Sequence, residues 1–421
     1  MPAMEHSERT FRPVVIGLGC LAVLWATGHF LHTYGVQALA VDHEAIRAWL
    51  AGDDLYGLGT AHPPTAALLL APAAALPLTV AAWLLALAGV AALILAVIAL
   101  AGPVARRYGR ARGPAVAVAA AVALMTEPVR ATLGLGHLDL LIFGLIVADL
   151  VALRRAAWAR RRATWWPGTR PGLERSWSTG AWAGLGIGIA SALAVGPVLF
   201  IVHLAVTRQW RPALTAASTA ATLTLGALLI TPGATGTWFS TALAQVDRAG
   251  PISDPANQSL AGLLARLNDS TGTPVLVWIS FAALLVAVGL IRARAAHADG
   301  DEITAFTLVG LAGAATAPVT TGHELFWVLP AMLILVDAAA RLRRPRASRF
   351  AGIGYAAAAL VVYLLLVLPT QMMVDWNAYA FAVIALMNGL PWRPGVAPTT
   401  TPARRPVAPV RVPAIPGPRG S

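Results

Sequence analysis

Apolar runs recur along this chain more often than a water-soluble globule can accommodate. Twelve can be marked, near residues 13–33, 78–101, 114–126, 137–153, 180–194, 196–207, 212–231, 274–291, 303–318, 325–340, 351–369 and 376–390. A helix needs about 20 such residues to cross a bilayer, within a range of about 17–25. A soluble fold of 421 residues would need a polar exterior, yet 57% of the chain is apolar and only 12% is charged. Disorder is excluded by the same apolar content. The expectation is an all-α polytopic membrane protein, a bundle of about 12 transmembrane helices. Segments 114–126, 180–194, 196–207 and 376–390 fall short of a full crossing. Such short or broken helices need protein or a water-filled cavity at their ends, and at membrane depth they often line a substrate cavity.

Charge orients the bundle. All 31 basic residues are Arg, and the chain has no Lys. With a cytoplasmic N-terminus and twelve alternating spans, 27 arginines fall on the cytoplasmic side; Arg47, Arg130, Arg248 and Arg266 fall outside. Eleven of the 19 acidic residues also fall outside, giving an outer face of −7 and an inner face of +19. This is the positive-inside pattern, and it accounts for the net +12 without nucleic acid. The expected plan is a cytoplasmic N-terminus over 1–12, a transmembrane domain over 13–390 and a Pro/Arg-rich, disordered cytoplasmic tail over 391–421. The arginines of that tail suit anionic membrane lipids. The lone Cys20 excludes intrachain disulfides and Cys-based metal sites.

Two periplasmic loops, about 34–77 and 232–273, are too long to be mere connectors. The first carries a short helix over 41–50 and an 11-residue apolar stretch, Ala66–Leu76, between Pro64 and Pro77. That stretch reads as a re-entrant or interfacial helix rather than a crossing. Ionisable groups gather at the same boundary: Asp42, His43 and Glu44 after the first span, His62 before a Pro-Pro pair, His137 and Asp139 at the fourth span, His323 and Glu324 at the tenth. Charged groups near a membrane are costly and tend to mark function. A carboxylate beside a His suits general acid/base chemistry. A divalent metal is conceivable but not indicated, since no His-x-x-x-His or similar spacing occurs. Walker, dinucleotide and Ser-elbow motifs are absent. No cofactor is therefore expected, and a lipid-linked substrate becomes the natural alternative to a soluble nucleotide.

The order of these motifs resembles glycosyltransferase family 87 of the GT-C superfamily, over roughly residues 15–370. Gly52-Asp53-Asp54-Leu55-Tyr56 is similar to the family's G-x-x-L-Y, and His62-Pro63-Pro64 to its Y-P-P. Gly136-His137-Leu138-Asp139 is similar to G-Q-x-N, Asn257-Gln258-Ser259-Leu260 to N-Q-S-L, and Gly322–Trp327 to H-H-L-x-W. The resemblance implies a GT-C-like bundle that uses a polyprenyl-phosphate sugar, most simply mannose in an α-1,2 linkage, and a glycolipid or lipoglycan acceptor at the periplasmic face. It implies Asp42 as general base and His323 as its catalytic support. The substrate-binding set would be His43, Tyr56, His62, His137, Asp139, Asn257, Gln258, Glu324, Arg248 and Arg266. Ala194 stands where the family usually has a Lys before a Pro; Arg248, Arg266 or Arg130 could supply the charge instead. The alternatives are a lipid or solute transporter (against which no inverted repeat is visible) and a catalytically silent relative.

Overall fold

The computed structural model describes residues 2–109, 111–163, 177–268, 273–342, 349–368 and 371–393. The described residues are helical, with no strand. In chain order the helices are α1 Pro2–Tyr34, α2 Gln37–Leu50, α3 Pro64–Ala74, α4 Leu78–Arg107, α5 Arg112–Leu124, α6 Glu127–Leu135 and α7 Asp139–Ala163. They continue as α8 Leu185–Leu193, α9 Val198–Val206, α10 Trp210–Ile230, α11 Pro232–Ser240, α12 Leu260–Leu267, α13 Val275–Ala298 and α14 Glu302–Thr316. After a 3-10 turn, Gly322–Trp327, come α15 Val328–Leu342, α16 Arg349–Val367, α17 Gln371–Asp375 and α18 Ala378–Gly389.

Five segments are long and apolar enough to cross a membrane: Leu78–Arg107, Trp210–Ile230, Val275–Ala298, Gly322–Leu342 and Phe350–Val367. Helices α5 and α6, bent by 68°, make a sixth together. The bend falls at Met125-Thr126, where the sequence reading ended its short third span; α6 was missed because Glu127 and Arg130 interrupt the apolar run. Other runs form short helices, nine residues each in α8 and α9, twelve in α18 and fifteen in α14. Fifteen residues rise only about 22 Å, less than the ~30 Å hydrocarbon core. Length and composition alone thus show five or six crossings among the described residues, the other expected spans being short or broken helices.

Small residues let the helices approach. A Cβ on Gly144 of α7 would lie 2.9 Å from the Ala92 side chain of α4, and one on Gly188 of α8 would lie 2.6 Å from the Ala216 carbonyl of α10. With no hydrophobic drive between helices in lipid, this close packing is what holds them. Helix α14 is the axis of the bundle: Ile303 through Ala312 are all buried. Helices α8 and α9 are joined by a break at Ala194–Pro197, with Ala194 extended. The start of α8 is capped from α7, where Asp149 Oδ2 accepts from the Ile187 N–H at 2.6 Å. Phe200 of α9 then rests on Phe306 and Trp327.

At the end of the bundle opposite the Tyr34 end of α1, the segment after α18 is tied down. Arg393 donates from Nε to Asp337 Oδ2 at 2.7 Å and from its backbone to Asp301 Oδ2 at 3.0 Å. Trp392 Nε1 donates to Asp299 Oδ2 at 2.8 Å. The remainder of the expected tail lies outside the described residues.

Candidate active site

Two helices and two loops converge at the Tyr34 end. Helix α2 presents Leu39, Asp42, His43, Ala45 and Ile46 inward, the i, i+3, i+4 spacing of one helical face. Asp42 therefore turns toward the bundle, 7% exposed. The chain enters α2 through Val36, a β-branched residue at φ 52, a conformation such residues rarely adopt. The Val36 N–H, bonded to the Gly134 carbonyl at 3.0 Å, fixes that turn against α6.

The loop between α2 and α3 folds back over Asp42. Thr60 Oγ1 donates to Asp42 Oδ1 at 2.7 Å, and His62 Nε2 stands 3.2 Å from Asp42 Oδ2. His62 precedes Pro63, which favours extended backbone there, and Pro64 opens α3 at a position where its missing N–H costs nothing. Burial opposes the charged form of Asp42, but the His62 and Thr60 contacts outweigh it and hold its pKa below the usual 3.8. Burial likewise opposes a charged His62, and the bond to Asp42 outweighs it, raising its pKa above 6.5. The result is an ionised Asp42 paired with a His62 biased toward the imidazolium.

Tyr56 and Arg248 back this loop. Tyr56 is buried and stacks on Trp238 with ring centroids 5.9 Å apart. Burial foremost raises its pKa and keeps the phenol protonated. The Arg248 guanidinium lies 5.0 Å above the Tyr56 ring and donates to the Thr60 carbonyl at 3.0 Å and to Gln245 Oε1 at 2.6 Å. Among the described residues no carboxylate pairs with it. One residue, Thr60, thus touches both Asp42 and Arg248.

A second cluster comes from the turns after α6 and before α15. Gly136, at φ +81, ends α6, and both its N–H and that of His137 return to the Thr132 carbonyl. This turn releases His137 one residue before Leu138 is buried and α7 begins at Asp139. The His137 ring stacks on His323 with centroids 3.9 Å apart and planes 9° from parallel. His323 Nε2 lies 3.9 Å from Asp139 Oδ2, too long for a hydrogen bond. Thr321 Oγ1 is 2.6 Å from His323 Nδ1, and Thr132 Oγ1 donates to the His323 carbonyl at 3.2 Å. Glu324 Oε2 accepts from the Thr321 N–H at 2.8 Å in a capping box. His137 acts electrostatically on Asp42, and Asp139 and Glu324 act on His62, so the two clusters share one field.

The other sequence-predicted residues fall elsewhere. His43 is buried, its Nε2 2.9 Å from the Leu76 carbonyl beyond α3. Asn257 is a knot: its Nδ2 donates to the Ile252 and Pro318 carbonyls, and its Oδ1 accepts from the Ser259 and Thr320 N–H groups. Gln258 Nε2 donates to the Pro255 and Val374 carbonyls. Arg266 is spent on the Asp254 and Asn257 carbonyls and on Asn377 Oδ1. These three residues brace the loop before α12 rather than join the clusters. Arg130 is paired with Glu127 at 3.1 Å and also donates to the Val367 carbonyl.

Sequence reasoning missed Thr60, Thr321 and the Tyr34–Glu127 bond, in which Tyr34 Oη lies 2.9 Å from both carboxylate oxygens. The Thr321-x-x-Glu324 spacing of a capping box was the one available signal for Thr321. Nothing in the sequence links Tyr34 to Glu127.

A crevice of about 550 Å³ lies between α4, α5, α15 and α16, its wall apolar but for Tyr363, and no residue of the two clusters lines it. Phe143, one helical turn below Asp139, is part of the lining. Val118, Val336 and Leu360 on the same wall are at least half exposed, so the crevice opens at the outer surface of the bundle.

A model of glycosyltransferase family 87 matches residues 60–318. A Mycobacterium tuberculosis polyprenol-phosphate-mannose-dependent alpha-(1-2)-phosphatidylinositol mannoside mannosyltransferase is 26% identical over 313 residues, 69% of this chain and 67% of that protein. The Mycolicibacterium smegmatis protein of the same description is 27% identical over 350 residues, 75% and 72% of the two chains. A polyprenol-phosphate-mannose-dependent alpha-(1-2)-phosphatidylinositol pentamannoside mannosyltransferase of the same species is 27% identical over 339 residues, 79% and 74%. No solved structure matches the chain.

Proposed function

We propose, from the premise that this chain belongs to glycosyltransferase family 87, that it transfers mannose from a polyprenyl-phosphate donor to a phosphatidylinositol mannoside or related glycolipid. The relatives named above carry that donor and that acceptor class in their descriptions. The reaction runs at the periplasmic end of a bundle of about twelve membrane segments, both termini being cytoplasmic. In this arrangement α8 and α9 form a broken pair and α3 a re-entrant helix. The charge separation across the sequence supports that orientation.

The observation that carries the mechanism is the Asp42 carboxylate, buried yet held ionised by Thr60 and His62. An acceptor hydroxyl beside it loses its proton to Asp42 as its oxygen forms the new bond to the anomeric carbon. The bond from that carbon to the donor phosphate breaks on the opposite face, with inversion, and the electron pair leaves on the polyprenyl phosphate. A preorganised cation stabilises charge that develops in such a step. Arg248 suits this role, because its neighbours are a carbonyl, an amide and an aromatic ring, whereas Arg130 is ion-paired and Arg266 is spent on structure. The isoprenoid tail lies in the apolar crevice. No step calls for a redox or nucleotide cofactor.

The test uses membranes containing the full chain, radiolabelled prenyl-phosphate mannose and phosphatidylinositol mannosides. Label on the glycolipid supports the reading. Transbilayer movement of label without a new glycosidic product would replace it with transport.

A further inference from the structure

We infer that His137, Asp139 and His323 bind one divalent cation of the zinc class in the cleft beside Asp42. Nδ1 or Nε2 of each His and one oxygen of Asp139 lie within 4.8 Å of one another. Two imidazoles and a carboxylate are a ligand set that leaves coordination positions open for a substrate oxygen. The set comes from two turns far apart in sequence, so no local spacing announces it. That is why the sequence reading found no metal motif.

One feature of the geometry favours an ion over a self-contained polar cluster. His323 Nε2 and Asp139 Oδ2 face each other at 3.9 Å without a hydrogen bond, leaving a gap that a cation between them closes. The two rings are stacked nearly parallel, so their in-plane lone pairs run side by side and tilt toward each other to share an ion. Thr321 Oγ1 lies 2.6 Å from His323 Nδ1 and 3.4 Å from its Nε2, so it can hold the ring in place from beside both nitrogens. Typical bonds of about 2.0–2.2 Å ask the three ligands to close by roughly an ångström.

The functional role of this ion rests on the mannosyl-transfer reading; the ion site itself does not. With no lysine in the chain, and with Arg130 and Arg266 already engaged, Arg248 alone would face the departing phosphate. A divalent ion on the opposite wall supplies the second positive centre.

The experiment separates the two claims. The full chain, purified in detergent and stripped with a chelator, is titrated with Co²⁺ and followed by visible absorption, then displaced with Zn²⁺. One ion per chain is expected, with affinity lowered at least about tenfold in Asp139→Asn and His323→Gln and unchanged in His43→Gln, whose bond goes to the Leu76 carbonyl. Absence of stoichiometric binding by the wild-type chain overturns the site, as does binding that both ligand variants leave intact. The wild-type result needs no variant to fold. Mannosyl transfer is assayed on the same stripped and reloaded samples. Transfer that persists unchanged without an ion removes the ion's role and leaves the transfer reading standing. An ion bound by a protein that transfers no sugar does the reverse.

Discussion

Replacing Asp42 by Asn is the sharpest perturbation of the proposed chemistry. The amide is nearly isosteric, so its oxygen still accepts from Thr60 Oγ1, where the wild type has 2.7 Å. Its NH₂ can donate to a neutral His62 across the present 3.2 Å. The variant gives up charge-assisted bonds, each typically worth about 1.5–3 kcal/mol. It also no longer keeps a charge in a site that is 7% exposed, and the two terms largely offset. Stability should change by about 1 kcal/mol or less, and the protein should accumulate normally. Turnover should not survive: general-base help is worth roughly 10²–10⁴ in rate, or about 3–5 kcal/mol of barrier. The assay is initial-rate transfer from prenyl-phosphate mannose in membranes matched for protein by immunoblot. Thr60→Val is the companion variant. It keeps the carboxylate but loses one of its two anchors, and a loss of about 5–30-fold in kcat is expected. A kcat for Asp42→Asn within about threefold of wild type refutes the assignment of the base, whatever Thr60→Val does.

Four further outcomes follow from the same geometry. Arg248→Gln should raise the donor KM about 10–100-fold, the worth of a charged hydrogen bond, with Arg248→Lys recovering part of it; an unchanged donor KM in steady-state kinetics excludes phosphate contact. The Asp42–His62 pair sets a pH window, with Thr60, His137, Asp139 and Glu324 as the groups acting on it. Asp42, lowered from 3.8, adds stability above that value and loses it as pH falls through its folded pKa; His62, raised from 6.5, adds stability below that value and loses it as pH rises through its own. A pH–rate profile should therefore keep its acid limb below about pH 4, and His62→Gln should move that limb upward. Asn257→Ala removes four hydrogen bonds, three of them buried, so apparent thermal stability in detergent should fall by about 3 kcal/mol. Gly136→Ala places a Cβ at φ +81 and 2.6 Å from Leu39 Cβ; it should cut transfer more than it cuts accumulation, because the displaced turn carries His137.

The membrane class and the gathering of ionisable groups at one boundary were legible in the sequence, because hydropathy and charge order are local properties of the chain. The helix over 41–50 is present as part of α2, and the 66–76 stretch as α3. The motif at Asn257-Gln258 was visible, yet its role was not. An amide serves a substrate or a backbone equally well, and only the Pro318 and Thr320 partners decide. Ion pairing was similarly hidden. Arg130, Arg248 and Arg266 look alike in sequence, and they differ only in whether Glu127, a Tyr ring or a set of carbonyls lies opposite. The stacked His137–His323 pair joins residues from two distant turns, which no periodicity can reveal.

Helix α15 bears the His323 turn at one end and, at the other, Asp337, which grips Arg393. Engineering of the C-terminus should respect that grip. A fusion tag or truncation placed after Arg393 leaves the helix's lower attachment intact. One placed ahead of Trp392 strips Asp337 of a guanidinium, leaving it Arg341 at 3.3 Å and the Tyr108 hydroxyl, takes the Trp392 indole from Asp299, and leaves Asp301 to its Thr304 bonds. Expression vectors for this protein are therefore best designed to keep Trp392 and Arg393 in the chain.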